Sequence, residues 1–378
     1  MKILSVFGTR PEAIKMAPVV KALARTPGIE ARVCVTGQHR EMLDQVLRLF
    51  EITPDHDLQV MVANQTLNGL TARIVSALDP VLEAEAPDWI LVHGDTTTSM
   101  AAALAAFHRQ VKIGHVEAGL RTHDLSRPWP EEMNRRVTDA VADLLFPPTQ
   151  GAKANLSAEN LHGRRTYITG NTVIDALFDV VGKLERDPRL GAEIEARLPV
   201  LSPERRLLLV TGHRRENFGD GFLDICAALA ELAKRSDIEI VYPVHLNPNV
   251  REPVMKLLSE RERVHLIEPQ EYLPFVWLMR RAHVILTDSG GVQEEAPGLG
   301  KPVLVMRDVT ERPEAVLAGT VQLVGTSVTN IVREVSRLYD DRIAYSEFSR
   351  AVNPYGDGCA ADRIVGALIG REITEFAT

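Results

Sequence analysis

Short apolar runs recur along this chain and end on glycine, serine, histidine or an acid. The clearest are Ile90-Leu-Val-His-Gly-Asp95, Lys112-Ile-Gly-His-Val-Glu117, Arg206-Leu-Leu-Leu-Val-Thr-Gly-His213 and His283-Val-Ile-Leu-Thr-Asp-Ser-Gly-Gly291. Short runs of this kind read as parallel strands buried on both faces. Before them the pattern predicts strands over 2–7 and 31–36, with helices over 11–24, 42–50 and 67–85. Pro11 suits the first position of the first helix. Strands near 89–93 and 111–116 follow, and the alternation of strand-like and helix-like segments means a parallel, doubly wound α/β sheet.

A charge-rich helical stretch over roughly 174–198 precedes a second series of strands near 206–211, 238–244, 264–268, 283–287, 302–306 and 321–324. Two α/β units are therefore expected, with a hinge between Tyr167 and Pro203 and a ligand cleft between them. Open sheets of this class bind ligands at the carboxyl ends of their strands, where the acids and donors above are gathered.

At 378 residues the chain is long enough for two cores. A net charge of −8 makes a nucleic-acid backbone a poor partner, while leaving room for a local basic pocket. Three well-separated cysteines, Cys34, Cys226 and Cys359, lack any CxxC spacing and read as idle thiols in a reducing compartment. No apolar run is long enough for a signal peptide or a membrane span, which predicts a cytoplasmic protein.

Gly8-Thr-Arg-Pro-Glu-Ala-Ile-Lys15 joins the first strand to the first helix, so backbone N–H groups and a helix dipole lie beside Arg10 and Lys15. The order matches neither a Walker A loop nor the dinucleotide fingerprint. Asp288-Ser-Gly-Gly-Val-Gln-Glu-Glu295 makes a stronger case, because its glycines permit close approach of a diphosphate, Ser289 adds a hydroxyl and Glu294 or Glu295 can meet a ribose. Asp95, Glu117 and Glu131 are the candidate proton carriers, and helical spacing offers Arg135 as a partner for Glu131. His213 stands at a strand end before two arginines, and His245 is a weaker parallel. His93, Asp95 and His115 lack the spacing of a metal site, so no metal is expected.

The chain resembles the non-hydrolysing bacterial UDP-N-acetylglucosamine 2-epimerases. The likeness is carried by Gly8 to Pro18, His93-Gly-Asp-Thr-Thr-Thr98, Gly114-His-Val-Glu-Ala-Gly-Leu-Arg-Thr122 and Pro130-Glu-Glu-Met-Asn-Arg135. It continues through Gly170-Asn-Thr-Val-Ile-Asp175, Gly212-His-Arg-Arg-Glu-Asn217, Asp288 to Pro297, Arg307-Asp-Val-Thr-Glu-Arg-Pro-Glu314 and Asn353-Pro-Tyr-Gly-Asp-Gly358. The resemblance implies a GT-B architecture: a Rossmann-like unit over 1–170 completed by a helix at about 360–378, and a UDP-binding unit over 171–359. It also implies interconversion of UDP-N-acetylglucosamine (UDP-GlcNAc) and UDP-N-acetylmannosamine (UDP-ManNAc) by a homodimer that uses no cofactor.

By matching positions, the resemblance assigns UDP to Arg10, Gln270, Phe275, Ser289, Gly290, Gly291, Glu295 and Arg312, and the reacting group to Lys15, Asp95, Glu117, Glu131, Arg135 and His213. A regulatory site for a second UDP-GlcNAc would draw on Gln38, His39, Gln65, Glu131, Arg214 and His245. Glu41 and Asn64 depart there from the Gln and Arg of some members.

The hydrogen on sugar carbon 2 is hardly acidic, so departure of UDP must come first and let a carboxylate take the proton, giving a 2-acetamidoglucal. A GT-B glycosyltransferase, a hydrolysing epimerase and a nucleotide-sugar sensor are the rivals. They differ in needing an acceptor, in releasing free N-acetylmannosamine, or in showing no turnover.

Overall fold

The computed structural model describes residues 1–37, 40–62, 64–161, 165–310 and 312–377, which form two compact α/β units. Met1–Ala176 and Tyr355–Ala377 make the first, and Leu177–Pro354 the second.

Among the described residues, the first unit has the strands β1 (Lys2–Phe7), β2 (Glu30–Val35), β3 (His56–Asp57), β4 (Trp89–His93), β5 (Lys112–Val116), β6 (Leu144–Phe146) and β7 (Arg165–Thr166). They form one parallel sheet in the order β3-β2-β1-β4-β5-β6-β7. The chain reverses its winding between β1 and β4, so the ends of these two strands flank the crevice in which such sheets take ligands. Leu4, Val6, Ile90 and Val92 fill the core on one face, against helices Leu67–Glu85 and Thr97–His108. The strands β3, β6 and β7 escape the hydrophobic pattern because two or three residues carry no period.

The second unit repeats the plan with β8 (Arg206–Thr211), β9 (Ile238–Pro243), β10 (Val264–Ile267), β11 (Ala282–Thr287), β12 (Val303–Val305) and β13 (Val321–Leu323). Their order is β10-β9-β8-β11-β12-β13, and the switch point lies between β8 and β11. Leu208, Val210, Ile240, Tyr242, Val284 and Leu286 centre its core. The helical stretch before β8 is two helices, Thr172–Arg186 and Pro188–Arg197. Pro188 cannot continue the first, and Asp187 caps the second by accepting from the Arg189 N–H.

The last segment finishes the first unit. Helix Ala360–Leu368 buries Ile364, Val365 and Leu368, each worth roughly 1.5–3 kcal/mol when removed from water. Asp175 accepts from the N–H groups of Ala360 and Ala361, and burial raises its pKa to about 6. Phe376 N–H donates to the Ile168 carbonyl at 2.9 Å, and the Asn171 N–H to that of Tyr355 at 2.6 Å. No described helix is long and apolar enough to cross a membrane.

Candidate active site

In the first unit the site grows from three strand ends. Gly8 follows β1, and Thr9 caps helix Arg10–Ala24 in a capping box with Glu12, which places Arg10 and Lys15 on the first two turns. Glu12 is buried and fully engaged. One oxygen accepts from the Gly8 and Thr9 N–H groups at 3.1 and 2.8 Å, the other from the hydroxyls of Thr96 and Ser99 at 2.7 and 3.0 Å. It thereby ties the turn after β1 to the turn after β4.

Glu117 follows β5 with φ of +64°, a left-handed conformation rare for a residue with a Cβ. Strain of this kind persists where surrounding contacts fix it, and often marks function. Lys15 Nζ lies 2.5 Å from Glu117 Oε1, and Asn171 Nδ2 donates to the same oxygen at 2.8 Å. Glu117 Oε2 is 3.6 Å from His93 Nε2, a buried atom with no hydrogen-bond partner among the described residues. Burial holds the His93 pKa down to about 3, with Lys15 and His115 adding to the effect and Glu117 opposing it. Gly94 has φ of +66°, and a Cβ there would sit 3.4 Å from Glu117 Oε2, so glycine answers both the backbone and the approach.

Asp95 carries the second carboxylate. Arg135 Nη2 reaches its Oδ2 at 2.6 Å, and Asn134 Nδ2 donates to its carbonyl at 3.0 Å. A third of the Asp95 side chain remains exposed, yet it is set deep enough that burial is the largest influence and raises its pKa. Glu117 and Glu131 push the same way, while Arg135 and Lys15 pull it back. The pairing of Glu131 with Arg135 suggested by helical spacing does not form: buried Arg135 turns inward to Asp95 and lies 3.6 Å from Glu132. Glu131 stands half-buried at the start of helix Glu131–Val141.

Behind these groups, His115 Nδ1 meets Asp139 at 2.6 Å and its Nε2 meets the Gly94 carbonyl at 2.8 Å. Arg121 closes on Asp139 at 2.8 Å, and all three side chains are buried. His115 thus braces the turn bearing Asp95. Among the described residues no group of three or more His, Cys, Asp or Glu is placed to hold a metal ion.

The second unit presents the ends of β8 and β11 at its own switch point. Thr211 and Thr287 join their hydroxyls at 2.5 Å, and the Ser289 N–H donates to Thr287 Oγ1 at 2.9 Å. His213 lies beside buried Asp288 and stacks on His245 at 5.5 Å between ring centres. Burial lowers the His213 pKa, Asp288 opposes that shift, and Arg214 and His245 reinforce it. Ser289, Gly290 and Gly291 open the short helix Gly290–Glu295, in which Glu295 accepts the Tyr272 hydroxyl at 2.5 Å and Glu294 pairs with Arg312 at 2.8 Å. A Cβ on Gly290 would come within 2.6 Å of the Arg312 guanidinium. Phe275 is half-buried on helix Tyr272–Arg281, and Gln270 Nε2 donates to the Glu268 carbonyl at 2.7 Å.

Of the regulatory candidates, Gln38 and His39 lie outside the described residues. Gln65 in the first unit accepts from Arg73, whereas Arg214 and His245 belong to the second. Sequence reasoning missed Asn171, Tyr272 and the roles of His93 and Asp288 because their partners are distant in the chain. Asn171 and His93 do fall within or beside quoted motifs.

Two Rossmann-type units, each with polar groups at its switch point, define an α/β protein of GT-B architecture. A family model described as UDP-N-acetylglucosamine 2-epimerase matches residues 21–369. The chain is 60% identical to the UDP-N-acetylglucosamine 2-epimerase of Escherichia coli K12, over 99% of this chain and 100% of that one. The structure of UDP-GlcNAc 2-epimerase from Neisseria meningitidis bound to UDP-GlcNAc is similar at TM-score 0.90 and 52% identity, covering 98% of this chain and 100% of that one. That of Methanocaldococcus jannaschii UDP-GlcNAc 2-epimerase in complex with UDP-GlcNAc and UDP reaches 0.80 at 32% identity, over 98% and 100%. This chain belongs to the UDP-N-acetylglucosamine 2-epimerase family.

Proposed function

We propose that the chain interconverts UDP-GlcNAc and UDP-ManNAc without hydrolysis, by eliminating UDP to a 2-acetamidoglucal and adding it back. The observation that carries this reading is the pair of unlike carboxylate settings after the neighbouring strands β4 and β5. Glu117 is held by Lys15 and Asn171, while Asp95 has a raised pKa beside Arg135. Inversion at carbon 2 needs one group to remove a proton and another to deliver one, and two carboxylates in different environments suit that division. Glu131 remains a third candidate near Asp95.

Charge builds on the diphosphate as it leaves, so its stabilisation falls to donors: Arg10 and Lys15 in the first unit, and Ser289, Gly290, Gly291, Arg312 and His213 in the second. Gln270 and Phe275 complete the UDP contacts in this reading, with Glu295 on the ribose. The Tyr272 hydroxyl holds Glu295 in one orientation for that task.

The reading extends to a homodimer that supplies ManNAc for surface polysaccharide and is activated by a second UDP-GlcNAc. Gln65, Glu131, Arg214 and His245 are the described candidates for that regulatory site.

The test uses UDP-GlcNAc alone in heavy water, followed by proton NMR without added NAD or acceptor. UDP-ManNAc carrying deuterium at carbon 2 is the expected product. Retention of the original hydrogen, or release of free ManNAc, overturns the proposal.

A further inference from the structure

Asp288 is wholly buried at the end of β11, and its two oxygens are used unequally. Oδ2 accepts from the N–H groups of His213 and Arg214 at 2.9 and 2.8 Å and lies 3.4 Å from Asn217 Nδ2. Oδ1 makes no hydrogen bond among the described residues and stands 3.5 Å from His213 Nδ1. A buried carboxylate oxygen left without a donor is costly, and here the facing group is an imidazole nitrogen less than an ångström beyond bonding range.

We infer that Asp288 is the positioning residue of His213, fixing hydrogen on Nδ1 so that the ring takes up its second proton at Nε2 and presents an imidazolium donor to the leaving diphosphate. This rests on the role given to His213 above. Asp288 is itself tightly placed: its N–H donates to the Thr211 carbonyl, and Asn217 bridges from it to the Met306 carbonyl. The loop 212–217 and its histidine are thereby set by one side chain from the neighbouring strand. The charged and titratable groups facing His213 are Asp288, Arg214 and His245. The latter two disfavour an imidazolium, which leaves Asp288 as the group that supports one when a phosphate arrives.

Replacing Asp288 with Asn separates the two jobs of the carboxylate. The amide oxygen must face the N–H groups of His213 and Arg214, which admit only an acceptor. The amide NH2 then faces His213 Nδ1, forcing the ring hydrogen to Nε2 and inverting the tautomer. The neutral ring then still offers Nε2–H but no longer a charge, so the expected result for Asp288→Asn is a fall in kcat on the order of 10- to 10²-fold, with KM little changed. The His213 NMR titration should move to lower pH by about one unit or more, carrying the alkaline limb of the rate profile with it. A titration and rate profile that do not move overturn the pairing.

Wild-type protein provides a check that needs no variant to fold. Nitrogen-15 shifts of His213, identified by its loss in His213→Gln, should report hydrogen on Nδ1 in the neutral ring, and an Nε2–H tautomer overturns the inference. Full turnover in His213→Gln would instead retire the role of His213 in the reaction. The tautomer and titration would still decide whether Asp288 governs the ring.

Discussion

Lys15 and Glu117, 102 residues apart, meet at 2.5 Å with their side chains only 15% and 10% exposed. The pair joins the first helix to the end of β5, and Asn171 shares its acceptor oxygen. Glu117→Gln keeps an oxygen for Lys15 and Asn171 but cannot carry a proton. Turnover should fall by about 10²- to 10⁴-fold while UDP affinity, read by calorimetry, changes little. Asp95→Asn should behave alike, and near-normal rates in both would remove the carboxylates from proton transfer.

His93 gives a signature in stability. Its folded pKa of about 3 lies below the 6.5 of a free imidazole, so between these values the unfolded chain binds a proton that the native one refuses. Its contribution to stability is complete above pH 6.5 and is lost toward pH 3, at about 1.4 kcal/mol per pH unit. Urea denaturation of His93→Leu should therefore show a deficit relative to wild type that shrinks as the pH falls through this window. A deficit independent of pH would mean that His93 is protonated in the native site.

Glu12 should matter through the backbone it holds. Glu12→Ala leaves the Gly8 and Thr9 N–H groups without their acceptor and opens a hole beneath the turn, which should lower stability by about 3 kcal/mol. Glu12→Gln can keep its oxygen on those N–H groups while the Thr96 and Ser99 hydroxyls rotate to accept. It should lose only about 1 kcal/mol in the same denaturation assay.

Gly290→Ala probes the second unit. The new methyl group would meet the flexible end of Arg312 and drive it from its place. Since a side chain and not backbone must yield, the fold should persist with a loss of about 1–3 kcal/mol as buried Glu294 gives up its Arg312 pairing, while KM for UDP-GlcNAc rises about tenfold. An unchanged KM would show that Arg312 does not hold the nucleotide.

The ends of β1, β4, β5, β8 and β11 were legible because an apolar run stops there on a Gly, His, Thr or acid, as at Val92-His-Gly-Asp95, while β3, β6 and β7 were too short to show. Pairings were legible only where they are local. Helical spacing proposed Glu131 for Arg135, yet the sheet delivers Asp95 from 40 residues away. Asn171 reaches Glu117 across 54 residues and Asp288 meets the His213 loop across 75, distances over which a one-dimensional pattern carries no geometry. Glu117 gave no backbone signal either, since nothing in Val116-Glu-Ala118 marks a left-handed residue.

The helix Ala360–Leu368 belongs to the first unit although it is made after the whole of the second. On the ribosome, the later-encoded unit can therefore mature before the earlier one is sealed, and the nascent N-terminal sheet must wait with the Ile364 and Leu368 seats unfilled. A fragment cut before Tyr355 leaves those seats open to water, and its first unit should unfold at lower urea than that of the whole chain.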